Sequence, residues 1–158
     1  SKNNKIKVFQ NEKNLGLTKS LNILLNESKG TFIARQDSDD LSLSSRFSKQ
    51  LDYIKNKNLD VCGSRAIIKG STRITPNRSY YLPIRTTLRI KNPFIHGSLI
   101  IKKTTIEKVN YYDERFFYSQ DYKLVKDILQ SGFSIRACPT AFIIMSFSDT
   151  VIPLLCKC

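Results

Sequence analysis

Strand-like and helix-like patterns alternate over the first 65 residues of the chain. Residues 5–9 alternate polar and apolar side chains and residues 31–34 form a short apolar run, so each is predicted to be a β-strand. Between them, leucines recur at helical spacing and a glycine follows where a helix would end: Leu17, Leu21, Leu24, Leu25 and Gly30. A second helix is predicted over residues 44–57, with Ser44 as its cap and an apolar stripe of Phe47, Leu51 and Ile54. Residues 60–64 begin another strand.

The second half of the chain gives a more mixed order of elements. Residues 66–68 and 72–74 flank Lys69-Gly70-Ser71, which indicates a hairpin. The remaining predicted elements are a short helix over 86–90, a strand over 98–101, a helix over 121–129 closed by Gly132, and a strand over 142–147. The predicted fold class is α/β, with a mixed sheet flanked by helices, parallel at first and with an antiparallel addition. Residues 1–150 are expected to form one domain, followed by an irregular C-terminal tail over 151–158.

Composition indicates a folded domain with an anionic partner. The 158 residues are 41% hydrophobic and 25% charged, and the formal net charge is +13. That charge favours nucleic acid, an anionic membrane surface or a phosphate-bearing small molecule, although a compositional bias toward lysine accounts for part of it equally well. The sequence contains no apolar run of 18 or more residues and no basic-then-apolar leader, so neither a membrane-spanning helix nor a secretory signal is predicted.

The cysteines bear on location and on metal binding. Cys62, Cys138, Cys156 and Cys158 are too few and too unevenly spaced for a disulfide framework, which indicates a reducing compartment. We therefore expect a cytoplasmic protein, placed at the inner face of the cytoplasmic membrane if the positive charge serves lipid binding. The pair at the end of the chain has the form of a metal clip, but no second pair or nearby histidine accompanies it, so a metal site there is not favoured.

A cluster of carboxylates follows the predicted strand at residues 31–34. Asp37-Ser38-Asp39-Asp40 brings like charges together, and a fold keeps such a group where a cation or hydrogen-bond donors neutralise it. Mg²⁺ and Mn²⁺ prefer oxygen ligands and share them with substrate diphosphates, and strand ends are where ligands collect in open α/β sheets. Capping of the following helix explains the same residues equally well. A calcium loop of the EF-hand type does not fit, because its turn glycine and closing glutamate are missing.

Several segments form a pattern, in order and spacing, over about residues 5 to 135. Its segments are Asn14-Leu15-Gly16-Leu17 with Leu21-Asn22, the run from Gly30 to Asp40, Arg46 and Gln50, Asp60-Val61-Cys62-Gly63-Ser64, Asn92-Pro93-Phe94-Ile95-His96-Gly97-Ser98, Tyr112-Asp113-Glu114, and Gln120-Asp121-Tyr122-Lys123-Leu124. The combination resembles family 2 glycosyltransferases of the bacterial polysaccharide-assembly type, and it is far more specific than any one motif.

The resemblance implies a GT-A fold and an enzyme of the hexosyltransferase type. Such an enzyme transfers sugar from a nucleotide-diphosphate donor to a saccharide or lipid-linked acceptor, with inversion and a divalent metal, Mn²⁺ or Mg²⁺. It places Asp37 and Asp39 in the metal-diphosphate motif and Asp121 at the catalytic base. The other candidate residues of the donor site are Arg35, Asn14 and His96, and Arg46 is expected to brace the aspartate loop.

These further residues leave alternatives open. Arg35 either faces the diphosphate or pairs with an acidic neighbour. Asn14 and Gly16 either contact the donor or shape the loop into the first helix, where Gly16 is suited to a backbone conformation closed to other residues. His96 lines the site or serves as a hydrogen-bonded structural residue, and is not expected to ligate a metal alone. Tyr80-Tyr81 and Tyr111-Tyr112 are expected to be half-buried packing more often than sugar-stacking platforms.

Three departures from the family pattern keep other readings open. Gln120 stands where the family usually has glutamate, the chain has no tryptophan, and the family's opening strand–helix–strand segment does not precede Lys5. We therefore expect an N-terminally truncated catalytic domain. The alternatives are an inactive transferase fragment and a basic nucleic-acid-binding module. The latter is disfavoured because no ribonucleoprotein, zinc-finger or helix-turn-helix pattern occurs, so no nucleic acid partner is expected.

Overall fold

A computed structural model describes residues 6–146 and 153–157 of the chain. Five helices lie in the described residues: α1 (Leu17–Glu27), α2 (Arg46–Lys57), α3 (Ile84–Thr87), α4 (Lys103–Lys108) and α5 (Gln120–Gln130). The strands are β1 (Phe32–Asp37), β2 (Leu41–Ser42), β3 (Val61–Ile68), β4 (Ile74–Thr75), β5 (Ile100–Lys102), β6 (Ile135–Met145) and β7 (Pro153–Lys157). Short 3-10 turns occur at Arg78–Tyr81 and His96–Ser98.

The strands form one mixed sheet in the order β2-β6-β3-β5-β1-β7, with β4 paired to β3. Only β3 and β6 are parallel neighbours among these strands, and every other pairing is antiparallel. Because β5 lies antiparallel between β1 and β3, those two strands run in the same direction. The predicted mixed α/β sheet is therefore confirmed, and so is the hairpin that joins β3 to β4.

Helices cover both faces of this sheet, because successive apolar side chains along its strands point to opposite faces and both sets are buried. Ile33 of β1 faces a core shared with α1 and α5, while the next residue, Ala34, faces a core built around α2. Ile101 and Ile100 of β5 divide in the same way. Successive strand side chains point to opposite faces, so an uninterrupted apolar run is the pattern of a strand buried on both sides. This sandwich fixes the carboxyl end of β1, where the acidic cluster begins.

The start of the chain differs from its prediction. Residues 6–9 form no strand, and Ile6 and Val8 are exposed; Lys5 lies outside the described residues. Alternation alone does not make a strand, because a strand needs a partner to satisfy its backbone groups. The predicted cap of α2 is also wrong. Ser45 rather than Ser44 precedes the helix, and its side chain makes no capping bond.

The end of the chain is more regular than predicted. Where an irregular tail was expected over 151–158, β7 pairs antiparallel with β1 and sets Pro153 opposite Asp37. The unpaired backbone groups along a strand edge explain such pairing, and a five-residue segment without alternation gives little local signal for it. The strand predicted over 142–147 forms part of the longer β6, and Phe147 lies outside the described residues. Cys158 and the side chain of Cys156 also lie outside what the structure describes.

Candidate active site

The acidic cluster is held at the end of β1 by one fully buried arginine from the first turn of α2. The Nη2 atom of Arg46 donates to the backbone oxygens of Arg35 at 2.6 Å and Gly97 at 2.9 Å. Its Nε donates to Gln50 Oε1 at 3.0 Å, and Gln50 in turn donates to the backbone oxygen of Ser98 at 3.0 Å. The predicted brace is confirmed, and its bonds tie β1 to the turn before β5.

The turn after β1 is folded around a glutamine side chain. Gln36 Nε2 donates to the backbone oxygens of Asp37 at 2.9 Å and Asp40 at 2.8 Å. Its Oε1 accepts from Arg46 Nη1 at 2.6 Å and from the hydroxyl of Ser42. A single side chain thus fixes both ends of the acidic turn, which limits where the three carboxylates can go.

Burial and mutual repulsion make this cluster favour a cation. Desolvation raises the pKa of Asp37, with the Arg35 charge acting against it and the Asp39 charge adding to it. Desolvation also raises the pKa of Asp40 to about 6, and its bond from the Ser146 amide only partly offsets that. Neighbouring negative charges and burial both penalise the ionised carboxylates, so a bound cation would relieve both costs.

A glycine leaves the space that this cluster occupies. A Cβ placed on Gly97 would lie 2.6 Å from Asp37 Oδ2, a contact that real Cβ atoms essentially never make, and 3.3 Å from Asp40 Oδ2, which is tight. The backbone of the His96–Ser98 turn therefore passes directly over the two carboxylates. Sequence reasoning quoted this glycine only as part of a motif and assigned it no role.

Arg35 is buried beside the cluster with donors to spare. Its Nη2 contacts Asp37 Oδ1 at 2.6 Å, so the predicted pairing with an acidic neighbour is confirmed. The residue is 3% exposed, and among the described residues its Nε and Nη1 have no hydrogen-bond partner. Burying a guanidinium with unpaired donors costs free energy, and a bound ligand that accepts hydrogen bonds would remove that cost. A phosphate oxygen would satisfy these donors.

Tyr112 joins the two predicted halves of the site. Its hydroxyl lies 2.7 Å from His96 Nε2, and burial raises its pKa. The charges of Arg35, Asp121 and Asp37 all influence the pKa of that hydroxyl, so the acidic cluster and the predicted base both lie within electrostatic reach of one buried phenol. Burial, with the Arg35 charge adding to it, holds the pKa of His96 well below its ordinary value, so this imidazole is neutral at pH 7. Sequence reasoning assigned Tyr112 to packing and missed this position.

The segment that carries Tyr112 is anchored to α1. Asn22 accepts from the Tyr112 amide at 3.0 Å and donates to its backbone oxygen at 2.9 Å. These two hydrogen bonds resemble those between paired strands, with the side-chain amide of Asn22 in the place of one backbone. It explains why an asparagine in the middle of α1 belongs to the same pattern as the distant Tyr112 segment.

Asp121 lies in the first turn of α5, where the helix dipole favours a negative charge. Its Oδ2 accepts from Asn92 Nδ2 at 2.7 Å. The same asparagine accepts from the Phe94 amide at 3.0 Å, which fixes its orientation. One carboxylate oxygen is therefore held in a fixed orientation, an arrangement suited to a group that accepts a proton.

Two other predicted features remain outside this cluster. Asn14 is exposed and its Oδ1 accepts from the Gly16 amide at 2.9 Å, so it shapes the entry to α1. Gly16 has φ 78°, as predicted for a conformation closed to other residues. Tyr80 and Tyr81 contact each other edge to face; Tyr80 is half-buried as the packing interpretation predicted, but for Tyr81, which is 74% exposed, that interpretation is wrong. A donor contact for Asn14 stays a prediction.

The donor set fits a divalent ion that is shared with a substrate. Within the described residues, no three histidine, cysteine or acidic side chains can hold a metal ion by themselves. Mg²⁺ is commonly held by one or two carboxylates together with substrate phosphates, and the clustered aspartates with raised pKa values match that arrangement. The assignment of Asp37 and Asp39 as metal ligands stays a prediction.

With this geometry in place, comparison with known proteins identifies the family. A family model described as glycosyl transferase family 2 matches residues 1–127. The chain belongs to glycosyl transferase family 2. This family 2 chain also shares the fold of the solved structure of S. aureus TarS 1-349 in complex with UDP-GlcNAc. The TM-score is 0.74, with 17% identity over 91% of this chain and 43% of that one. The predicted GT-A fold is confirmed.

Two curated relatives are bacterial glycosyltransferases. The chain is 32% identical over 132 residues to the amylovoran biosynthesis glycosyltransferase AmsE of Erwinia amylovora, covering 81% of this chain and 49% of that protein. It is also 32% identical over 135 residues to the UDP-Gal:alpha-D-GlcNAc-diphosphoundecaprenol beta-1,3-galactosyltransferase of Escherichia coli, covering 80% and 48%. The family 2 chain thus spans about half the length of these relatives. None of its described helices is long and apolar enough to cross a membrane.

Proposed function

We propose that this chain provides the catalytic centre of an inverting glycosyltransferase of cell-surface polysaccharide synthesis. It would move a sugar from a nucleotide-diphosphate donor to a hydroxyl of a saccharide or lipid-linked acceptor. The observation that carries the proposal is the convergence on Tyr112. Its hydroxyl forms a hydrogen bond with His96, and the charges of Asp37, Arg35 and Asp121 influence its pKa. The carboxylate cluster suits the metal, the Arg35 cation with its unpaired donors suits the diphosphate, and the separate carboxylate of Asp121 suits the acceptor.

The donor's diphosphate would bind between Arg35 and the acidic cluster. The unpaired Nε and Nη1 of Arg35 offer two donors to phosphate oxygens. Asp37 and Asp39 would hold Mn²⁺ or Mg²⁺, with Asp40 adding negative charge beside them. When bound, the ion supplies positive charge that stabilises the departing diphosphate. Arg46 holds the backbone of the turn in place, so the site needs little rearrangement to bind.

Asp121 would act as the general base for the acceptor. An acceptor hydroxyl attacks C1 of the donor sugar, its proton passes to Asp121, and the bond from C1 to the diphosphate oxygen breaks with its electrons leaving on the diphosphate. Attack opposite the leaving group inverts the configuration at C1. Asn92 occupies one oxygen of Asp121 and so directs the other toward the acceptor. His96 is neutral, so His96 and Tyr112 would line the position of the sugar, between the diphosphate and the acceptor, without adding charge.

The relatives' names suggest the acceptor class. The Escherichia coli relative is named for GlcNAc-diphosphoundecaprenol, a saccharide on a lipid diphosphate. The chain's net charge of +13 is compatible with such an anionic acceptor and with peripheral contact at an anionic membrane, on the cytoplasmic side. We take a lipid-linked saccharide as the first acceptor to test.

The test separates donor binding from turnover. Release of nucleoside diphosphate is measured with UDP-sugars, Mn²⁺ and GlcNAc-diphosphoundecaprenol, for the natural chain and for Asp121→Asn. We expect the variant to bind UDP-sugar as tightly as the natural chain but to release nucleoside diphosphate at least about a hundredfold more slowly. Equal release by both chains would remove Asp121 from the role of base.

A further inference from the structure

Positive charge is strongly segregated within the chain. Residues 61–106 contain nine lysines and arginines and no aspartate or glutamate. The C-terminal end of this stretch is neutralised, since Lys102 contacts Asp60 at 3.0 Å and Lys103 contacts Glu107 at 3.7 Å. The cations between residues 73 and 91 form no ion pair among the described residues, and all are exposed: Arg73, Arg78, Arg85, Arg89 and Lys91.

Exposed apolar side chains accompany these cations on one helical segment. Backbone bonds from Thr87 to Pro83 and from Lys91 to Thr87 extend α3 into about two turns. Its inward side buries Thr87 and Leu88, which leaves the opposite side to solvent. That outer side presents Arg85 and Arg89, four residues apart, next to Ile90, which is 85% exposed. Leu82, at 55% exposed, lies in the extended backbone just before this segment. A row of arginines beside bare aliphatic groups is the chemistry of an interfacial helix.

A basic groove continues this surface toward the candidate base. The groove encloses about 260 Å³, and its lining includes Arg73, Arg78 and Lys91 but no carboxylate. Asn92 also lines it, and the same side chain donates to Asp121 at 2.7 Å. A phosphate bound in this groove would therefore lie one side chain away from the site of proton transfer.

We propose that this face, made of Arg73, Arg78, Leu82, Arg85, Arg89, Ile90 and Lys91, docks on an anionic lipid bilayer. The arginines and the lysine bind phosphate headgroups while Leu82 and Ile90 enter the boundary of the acyl chains. Charge complementarity carries the choice of partner, because anionic lipid attracts basic residues near its surface additively. The two aliphatic side chains favour a bilayer over a nucleic acid, since a phosphodiester backbone offers them no apolar layer. The proposal rests on the proposed function, because docking would bring lipid-linked acceptors to Asp121.

Vesicle co-sedimentation tests this surface. The probes are vesicles of phosphatidylcholine alone and of phosphatidylcholine with 30% phosphatidylglycerol, at 0.1 M salt. The variant Arg85→Ser/Arg89→Ser is compared with Lys55→Ser/Lys57→Ser, which removes the same charge from two exposed lysines of α2. We expect the natural chain to prefer anionic vesicles, the arginine variant to bind them about thirtyfold more weakly, and the lysine variant about as well as the natural chain. Ile90→Ser should weaken binding without changing net charge.

Several results would overturn the proposal. Equal weakening by both charge variants would mean that net charge acts without this face, and equal binding to both vesicle types would remove lipid charge from the account. Tighter binding to single-stranded RNA, with the same dependence on Arg85 and Arg89, would assign the face to nucleic acid. UDP-sugar binding by the arginine variant is measured in parallel. If the arginine variant still binds UDP-sugar, a loss of vesicle binding concerns docking alone and leaves the proposed function intact.

Discussion

Replacing Gly97 by alanine tests the close approach at the centre of the site. The new Cβ would lie 2.6 Å from Asp37 Oδ2 and 3.2 Å from its Cγ, whereas Cβ contacts under 3.0 Å are essentially never seen. The carboxylate must therefore move by at least about 0.4 Å, the difference between 3.0 and 2.6 Å. Arg35 opposes this movement through its 2.6 Å contact with the same carboxylate. The φ of Gly97 lies outside the left-handed region, so the alanine backbone itself adds no strain.

The cost follows from two opposing effects. Overpacking a filled site costs about 1–3 kcal/mol, and replacing glycine by alanine at a compatible backbone position returns about 0.4–1 kcal/mol through the unfolded chain. We expect Gly97→Ala to lower the free energy of unfolding by about 1–2 kcal/mol. We also expect Mn²⁺-dependent binding of a UDP-sugar to weaken by at least about tenfold, because the displaced Asp37 belongs to the predicted metal pair.

A double-mutant cycle assigns that cost to the contact. Urea unfolding is measured for Gly97→Ala, for Asp37→Ala and for the two together, since Asp37→Ala removes the atoms that clash. We expect Gly97→Ala to cost at least about 0.5 kcal/mol less in the Asp37→Ala background. An identical cost in both backgrounds would refute the close approach, and so would a Gly97→Ala chain that is as stable and binds as well as the natural one.

Three further predictions concern the surroundings of this contact. Arg46→Met should lower the free energy of unfolding by about 3 kcal/mol in urea titrations, because it removes the donors to buried backbone oxygens. Arg46→Lys should recover only part of that stability. A loss under about 1 kcal/mol for Arg46→Met would contradict the bracing role. The pKa of Asp40 is raised to about 6, so its contribution to stability is present below about pH 4 and is lost as pH rises through 6. As pH rises from 4 to 7, the free energy of unfolding of Asp40→Asn should therefore increase by about 1 kcal/mol relative to that of the natural chain, after allowance for solvent screening. Parallel pH profiles of the free energy of unfolding for the two chains would count against this. Asn92→Ala should slow nucleoside diphosphate release about tenfold with the donor Kd unchanged, because it frees the orientation of Asp121, whereas a weakened Kd at an unchanged rate would place Asn92 in the donor site.

Local patterns were enough to predict the elements that surround the site. The leucine spacing of α1 and the apolar run of β1 each report burial within a few residues, and both elements form where expected. The pairing of β7 with β1 depends instead on contacts between distant segments, for which the tail carries no periodic signal. Residues 6–9 show the opposite failure, since their alternation satisfies a strand pattern without a partner strand.

The same distinction applies within the site. The clustering of carboxylates singles out Asp37, and the family resemblance singles out Asp121; their roles as metal ligand and base stay predictions. The parts played by Tyr112, Asn92 and Gly97 depend on distances between segments that are far apart in the chain. The bond from Tyr112 to His96 spans 16 residues and the bond from Asn92 to Asp121 spans 29. Only a folded chain brings such groups together, so a single sequence without a resemblance gives them no role.

Calorimetric titration of a UDP-sugar panel tests the central claim most directly. The natural chain and the variant Asp37→Ala/Asp39→Ala are titrated with Mn²⁺ present and again with a chelator, and thermal melting of each chain verifies folding. The account predicts Mn²⁺-dependent binding to the natural chain that both the chelator and the double substitution abolish. Binding of equal affinity in all four titrations, or no binding at all by a chain that still melts cooperatively, would contradict a metal-diphosphate site at the end of β1.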